Sequence, residues 1–470
     1  MNFWDLKESE SCAVIDQNSG HAFSYQQLKE QVNSFIELLP ANHTKNLGMI
    51  LCQNEIKALV AYLASLKKKD TAFLIDAKTS SNSLKRLILL YKPHWIFSFK
   101  KLYLTKGYKS YALENYFLYI LEHSDIEHIL FIELALLLST SGATGSGKTV
   151  RLSYSNLASN ACSIAEYLCL SSNDRTITSL PMYYSYGLSL INSTLQSGGT
   201  ILLTNKSIVE SSFWEFACES RTTSFAGVPF TYEILNRMKL KPLYNIPSLL
   251  RVMQAGGPLS HELALKLYNI STQLSWQFYI MYGQTEATAR ISYLPPEKAA
   301  EKVGSIGISI PRGQMSISLN DELVYQGPNV MLGYAQKISD LAKPDECQGL
   351  LYTGDIVKQD DEGYFFIVGR KNRFIKLLGL RLNLDELEKK LEHEFAQAIM
   401  CTGSDEFLFI LIESEDLLKQ LKIFIENNFQ LPSHSYSVIY SESFPRTSVG
   451  KKDYSKALKL CIKNRRKFCV

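Results

Sequence analysis

The segment Ser139-Thr-Ser-Gly-Ala-Thr-Gly-Ser-Gly-Lys148-Thr149 constrains this chain more than any other, together with what flanks it. An apolar run, Leu134 to Leu138, leads into it. Glycines let a backbone approach an anion closely, converging N–H groups cradle the charge, and hydroxyls and a lysine add donors. The composition therefore predicts a phosphate-binding loop. After it, Thr149-Val-Arg-Leu-Ser-Tyr-Ser155 alternates and is rich in β-branched and aromatic residues, which predicts a strand. A helix is expected only from about Ser155-Asn156, with Leu157, Ala161, Ile164, Ala165 and Leu168 on one face. The loop thus joins two strands in an α/β chain.

Gly142-x-x-x-x-Gly147-Lys148-Thr149 also fits the spacing of a P-loop NTPase. That motif requires a helix to begin at the lysine, with its N-terminus facing the phosphates. The strand expected at Thr149 argues against it, as does the whole α/β region that precedes the loop.

At 470 residues the chain exceeds one hydrophobic core and predicts at least two domains. Helix and strand alternate from Phe23 to about Phe99 and again from Thr176 to Tyr268, a doubly wound pattern. Short strands dominate from Ser305 to Val357. The composition shifts near Gly369-Arg370-Lys371-Asn372-Arg373, and a compact α+β pattern follows. The expected architecture is a large N-terminal domain, 1–370, made of doubly wound α/β subdomains plus a β-rich subdomain. A small, mobile α+β C-terminal domain, 371–470, completes it. A net charge of +4 is too small to call for a nucleic-acid partner. Nine cysteines with no C-x-x-C pair suggest reduced thiols and a cytoplasmic location, against a zinc site or disulfide framework. No apolar run is long enough for a membrane span; Leu118 to Leu138 comes nearest and is interrupted by six charged or histidine residues.

Seven further segments follow the loop in order: Leu180-Pro-Met-Tyr-Tyr-Ser-Tyr-Gly187, Gln254-Ala-Gly-Gly-Pro-Leu259, Met281-Tyr-Gly-Gln-Thr-Glu286, Gly304-Ser-Ile-Gly307, Gly327-Pro-Asn-Val-Met-Leu-Gly-Tyr334, Tyr352-Thr-Gly-Asp355 with Gly369-Arg370, and Arg446-Thr-Ser-Val-Gly-Lys451. Tyr282 offers an aromatic face for a base, Thr285 a hydroxyl for a phosphate oxygen, and Glu286 a hard carboxylate for Mg²⁺. The same Thr-Glu pair would also suit a helix start. Small residues at Ala255, Gly256 and Gly257 would let backbone lie against a planar base.

Taken together, these segments resemble the acyl- and aryl-CoA synthetase branch of the adenylate-forming enzymes, from about Phe23 to Lys456. The resemblance implies a two-step acid–thiol ligase. A carboxylate attacks the α-phosphate of Mg·ATP, giving an acyl-adenylate and pyrophosphate; a thiol of coenzyme A, or the phosphopantetheine of an acyl carrier protein, then takes the acyl group. It implies ATP or AMP contacts at Ser141, Gly142, Thr144, Gly145, Lys148, Gly256, Gly257, Tyr282, Gly283 and Thr285. Asp355 and Arg370 would serve the ribose, and Glu286 the metal. Lys451 is implied as the catalytic cation, with Lys452 as an adjacent competitor, and Thr285 and Glu286 act beside it. Tyr184, Phe230 and Ala255 would line the acyl pocket. Amino-acid-activating relatives place an Asp near Tyr184, so free α-amino acids are disfavoured. Asn372 stands at the hinge, where Asp or Lys is common. The loop departs from the family at Ala143, Gly147 and Thr149. A degenerate, non-catalytic relative is the remaining alternative, against which Lys148, Glu286, Asp355 and Lys451 all stand intact.

Overall fold

The computed structural model describes residues 2–41, 45–103, 107–122, 129–139, 148–377, 380–429, 431–447 and 450–465. The chain divides into two compact units, Met1–Met315 with Tyr325–Leu351, and Ser316–Val324 with Tyr352–Val470. Among the described residues no helix is long and apolar enough to cross a membrane.

In the first unit, one sheet runs in the order Gly333–Ala335, Thr149–Ser153, Leu134–Ser139, Thr71–Asp76, Leu47–Cys52, Trp95–Ser98, Tyr116–Leu121, Tyr108–Leu113. Its four middle strands, from Leu134–Ser139 to Trp95–Ser98, are parallel. Both faces are buried, because successive residues feed two different cores. Ile50, Leu74, Leu136 and Leu138 enter one, and Met49, Leu51, Phe73, Ile75 and Leu137 enter the other. Period-two alternation in a strand covered on both sides gives a continuous apolar run, which is how Leu134–Ser139 reads.

A second set of strands runs Ser305–Ser309, Ser292–Leu294, Gln277–Tyr282, Arg251–Gln254, Ser224–Gly227, Arg175–Ile177, Thr200–Leu203, Cys12–Asp16, His21–Ser24. Ser224–Gly227, Arg251–Gln254 and Gln277–Tyr282 are parallel neighbours. Ligands of open α/β sheets gather outside the carboxyl ends of such strands. Here those ends deliver Val228 to Phe230, Ala255 to Gly257, and Gly283 to Glu286 to one edge.

In the second unit, Ile399–Ser404, Phe407–Ile412 and Tyr436–Tyr440 form a sheet whose residues pack with the helices Leu384–Phe395 and Leu417–Phe429 around Leu387, Leu391, Ile410 and Leu421. Phe365–Arg370 pairs with Leu350–Gln359, and a 3-10 turn, Lys371–Arg373, leads to the hairpin Phe374–Leu377 with Leu380–Asn383.

Candidate functional site

Lys148 opens the strand Thr149–Ser153, so the sequence after the loop is a strand and not the helix that a P-loop NTPase requires. That strand is hydrogen-bonded on both edges, to Leu134–Ser139 and to Gly333–Ala335. Arg151 fixes it further: its buried guanidinium donates to the carbonyls of Lys343 (2.6 Å) and Leu332 (3.0 Å) and pairs with Glu346. Gly333, at φ +126°, is required there. A Cβ would lie 2.7 Å from Glu346 Oε2 and 2.9 Å from Arg151 Nη2. The helix begins at Tyr154, a residue earlier than its apolar face suggests, because Ser153 caps it by accepting from Asn156 N at 3.0 Å. Ser141, Gly142, Thr144 and Gly145 lie outside the described residues.

The pairing of Thr149–Ser153 with Gly333–Ala335 joins two motifs distant in sequence. Tyr334 lies opposite Val150, and the Lys148 ammonium sits 4.7 Å from the centroid of the Tyr334 ring. The Tyr334 hydroxyl donates to Glu286 Oε1 at 2.8 Å. Burial and the Glu286 charge both push that phenol above its ordinary pKa, so it remains a donor. Lys148, Tyr334 and Glu286 thus form one polar chain.

Thr285 and Glu286 occupy a 3-10 turn, Thr285–Ala287, just after the strand Gln277–Tyr282. Residues of the Gly327–Tyr334 segment clamp this turn. Met331 N donates to Glu286 O (2.8 Å), Asn329 Nδ2 to Ala287 O (2.8 Å), and Thr288 Oγ1 to Asn329 O (2.6 Å). Gly283 has a packing reason: a Cβ there would stand 1.9 Å from the Ala289 carbonyl oxygen. The Thr285 hydroxyl meets Ser185 Oγ at 3.1 Å, across from Tyr184 at the start of the helix Ser185–Ser197. Tyr184, Phe230 and Ala255 fall in one apolar cluster with Tyr186, Met253 and Met281. Tyr184, Phe230, Tyr282, Thr285 and Glu286 are all half-buried, which leaves them within reach of a ligand. Gly256 sits at φ +91°, and Gly257 is exposed.

In the second unit, Asp355 and Arg370 lie directly opposite on paired strands, and Arg370 Nε donates to Asp355 Oδ1 at 3.0 Å. The Asp355 side chain is buried and that of Arg370 largely exposed. Asp355 N is in turn held by Thr353 Oγ1 at 3.2 Å. Around the hinge candidate, Asp385 accepts from Arg370 N (2.9 Å) on one side of Asn372 and pairs with Arg373 on the other.

The two adjacent lysines have different surroundings. Lys452 is tied to Glu388 Oε1 (2.7 Å), Glu392 Oε1 (2.8 Å) and the Ile399 carbonyl (2.6 Å). Burial opposes its charge, but the two carboxylates overcome this and hold its pKa above the ordinary lysine value. Arg373 and Tyr454 complete that cluster, with the guanidinium 3.6 Å from the Tyr454 ring centroid and the Tyr454 hydroxyl on Glu388 at 2.8 Å. Lys451 lies half-buried on the turn before it. Its N–H meets Thr447 Oγ1 at 3.2 Å, its carbonyl accepts from Thr447 N at 2.8 Å, and Gly450 takes φ +80°.

Sequence reading gave no role to Tyr334, Ser185 or Arg290. The first two lay inside quoted segments, but only the fold shows which residues face them. Among the described residues no group of three or more His, Cys, Asp or Glu could hold a metal by itself. Mg²⁺ commonly takes one or two carboxylates and completes its shell with phosphate and water, so the single Glu286 carboxylate suits an ion that arrives with a nucleotide.

The model of the AMP-binding enzyme family matches residues 5–335. The chain is 30% identical over 285 residues to a 2-succinylbenzoate–CoA ligase of Bacillus pumilus (strain SAFR-032), covering 58% of this chain and 57% of that protein. It is 27% identical over 275 residues to a feruloyl-CoA synthase of Amycolatopsis sp, covering 55% and 54%. The matched stretch is thus a little over half the length of these curated relatives. The structure of o-succinylbenzoate CoA synthetase from Bacillus subtilis, in complex with an acyl-adenylate intermediate, superposes with a TM-score of 0.73 at 20% identity, covering 97% of this chain and 98% of that one. The last comparison speaks to the fold alone.

Proposed function

Because the chain belongs to the AMP-binding enzyme family, we propose that it activates a carboxylic acid with Mg·ATP and passes the acyl group to a thiol. The acid's carboxylate oxygen attacks the α-phosphorus and the bond to pyrophosphate breaks. The thiol sulfur then attacks the acyl carbon, and AMP leaves. The observation that carries this reading is the Lys148–Tyr334–Glu286 chain beside the Ser185–Thr285 pair, at the carboxyl ends of parallel strands. It sets a cation, a carboxylate and a hydroxyl around one edge, which suits a nucleotide triphosphate carrying a metal ion.

Lys148 would offset charge on the outer phosphates. Thr285 would donate to an α-phosphate oxygen, with its hydroxyl oriented by Ser185. Glu286, oriented by Tyr334, would hold the Mg²⁺, which neutralises phosphate charge. Tyr282 and Ala255 to Gly257 would take the base. Asp355, with Arg370 beside it, would accept the ribose hydroxyls, and Lys451 would neutralise the carboxylate and α-phosphate as pyrophosphate leaves. Lys452 is committed to Glu388 and Glu392, which supports Lys451 for that task. Asn372 would be the pivot for a C-terminal domain 371–470 that serves the two half-reactions in turn. Coenzyme A is the proposed thiol, following the names of the relatives; a carrier-protein arm uses the same chemistry. Tyr184 offers no charge for an α-ammonium, so acids without one are preferred.

The test is carboxylate-dependent release of pyrophosphate and AMP across aryl, acyl and amino acids, with coenzyme A or a phosphopantetheinylated carrier protein as acceptor. Release of ADP in its place would refute the proposal.

A further inference from the structure

Three large arginines are buried in the first unit, and two of them are paired in the usual way. Arg151 meets Glu346, and Arg251 meets Asp174 together with the carbonyls of Leu168 and Cys169. The third, Arg290, is 1% exposed, and among the described residues it has no carboxylate partner. Its Nε and Nη2 are buried without any hydrogen-bond acceptor. A guanidinium keeps its charge in a protein, and a buried charge is costly unless it is paired.

The groups around Arg290 do not supply the missing anion. The guanidinium carbon stands 4.1 Å from the centroid of the Tyr186 ring, and the Tyr186 hydroxyl donates to the Met253 carbonyl at 3.1 Å. Burial pushes Tyr186 far above its ordinary pKa. It pushes Tyr167 up to about 12, although the Arg290 charge and its hydrogen bond to the Tyr167 hydroxyl pull that value down. Both phenols are therefore neutral in the working pH range. The backbone of Arg290 is fixed, since its carbonyl accepts from Asn329 Nδ2 at 2.8 Å and Asn160 Nδ2 at 3.3 Å.

Its position connects it to the proposed site. Arg290 follows the Thr285–Ala287 turn in the chain. The Tyr186 ring beneath its guanidinium is edge-on to Tyr184 at 6.2 Å, and Ser185, between those tyrosines in sequence, holds Thr285. Tyr184, Tyr186, Phe230 and Ala255 share one apolar cluster. A buried cation with no anionic partner discriminates strongly, because a substrate lacking the matching anion leaves its charge uncompensated.

We infer that Arg290 receives a second carboxylate of the acid substrate, and that the protein acts on dicarboxylic acids. This rests on the adenylation reading above. The test compares matched acids in the pyrophosphate assay with Mg·ATP and coenzyme A: butanoate with succinate, benzoate with phthalate, and 4-phenylbutanoate with its ring-carboxylated analogue. The diacid of the best pair should lead in kcat/KM by about tenfold or more. Arg290→Gln should remove that lead, chiefly through KM for the diacid, and leave the monoacid within about threefold. Arg290→Lys should retain part of the preference, and if Arg290→Gln does not fold, this variant and the parent decide the matter. Monoacids leading in every pair, or Arg290→Gln lowering both acids equally alongside its melting temperature, would make Arg290 structural and overturn the inference while leaving adenylation intact. Mg·ATP binding with no pyrophosphate from any acid would overturn both.

Discussion

Lys452→Met and Lys451→Ala should separate stability from chemistry at adjacent positions. Lys452 makes two carboxylate contacts and one carbonyl contact between 2.6 and 2.8 Å. Its methionine replacement keeps the length of the stem but strands Glu388, whose side chain is 8% exposed, and Glu392 beside it. Removing one partner of a buried pair costs about 3–5 kcal/mol. Glu392 is 35% exposed and can rehydrate, so the lower end, about 3 kcal/mol, is expected. For a unit of this size a cost of that order lowers the melting temperature by roughly 10 °C. Lys451→Ala touches none of these contacts and should lower melting less than Lys452→Met, while lowering acid-dependent pyrophosphate–ATP exchange by about 10²-fold. With synthetic acyl-adenylate and thiol supplied, Lys451→Ala should form thioester near the parent rate. The measurements are thermal unfolding by circular dichroism and the two half-reaction rates at 20 °C below the variant's melting point. Unchanged melting of Lys452→Met, with exchange lost as in Lys451→Ala, would refute both the buried-pair reasoning and the choice of lysine.

Tyr334→Phe keeps the ring under Lys148 and removes the donor to Glu286. A hydrogen bond to a charged group contributes about 1.5–3 kcal/mol, so kcat/KM for Mg·ATP should fall about tenfold or more, with melting little changed; an unaffected ATP dependence would count against the Lys148–Tyr334–Glu286 chain. Asn372→Pro should slow thioester formation from synthetic adenylate by stiffening the proposed pivot, and a parent-like rate would remove Asn372 from that role. Burial lowers the pKa of Lys45 to about 7, against the partial opposition of Asp70 and Glu133. The unfolded chain therefore holds more protons on this group between about pH 7 and its ordinary value near 10.5, so stability gained from it rises with pH across that window. Urea titrations at pH 7 and pH 9 should show the parent gaining on Lys45→Met as pH rises; parallel changes would show that Lys45 is not the titrating group.

The doubly wound pattern was legible because both faces of the middle strands are apolar, and period-two runs such as Leu47–Cys52 and Arg251–Gln254 stand out from neighbouring helices. The strand after the glycine-rich segment was legible from its alternation and β-branched residues, and with the α/β region before that segment it argued against the helix-first motif. The first strand of that second alternation, Arg175–Ile177, is short, and Thr178 beyond it turns both N and Oγ1 to the Leu202 carbonyl. The hairpin Tyr108–Leu113 with Tyr116–Leu121 was not anticipated, since its outer strand is largely exposed and carries little apolar signal. Glu286 was legible as a carboxylate in a motif. Its tether to Lys148 was not, because it depends on the antiparallel register that sets Tyr334 opposite Val150. Arg290 was invisible for a related reason: a lone arginine in a sequence gives no sign of being buried without a partner.

Ser139 and Thr149 are direct cross-strand partners, and the exit strand is gripped on both sides and by Arg151. The segment between them is therefore a closed span with fixed abutments. The entropy of closing such a span grows only slowly with length, by about 0.6 kcal/mol for each doubling. Insertions, deletions and composition changes between the abutments should thus leave folding almost untouched. The departures from the family pattern at Ala143 and Gly147 fall between those abutments, where the sheet would tolerate them.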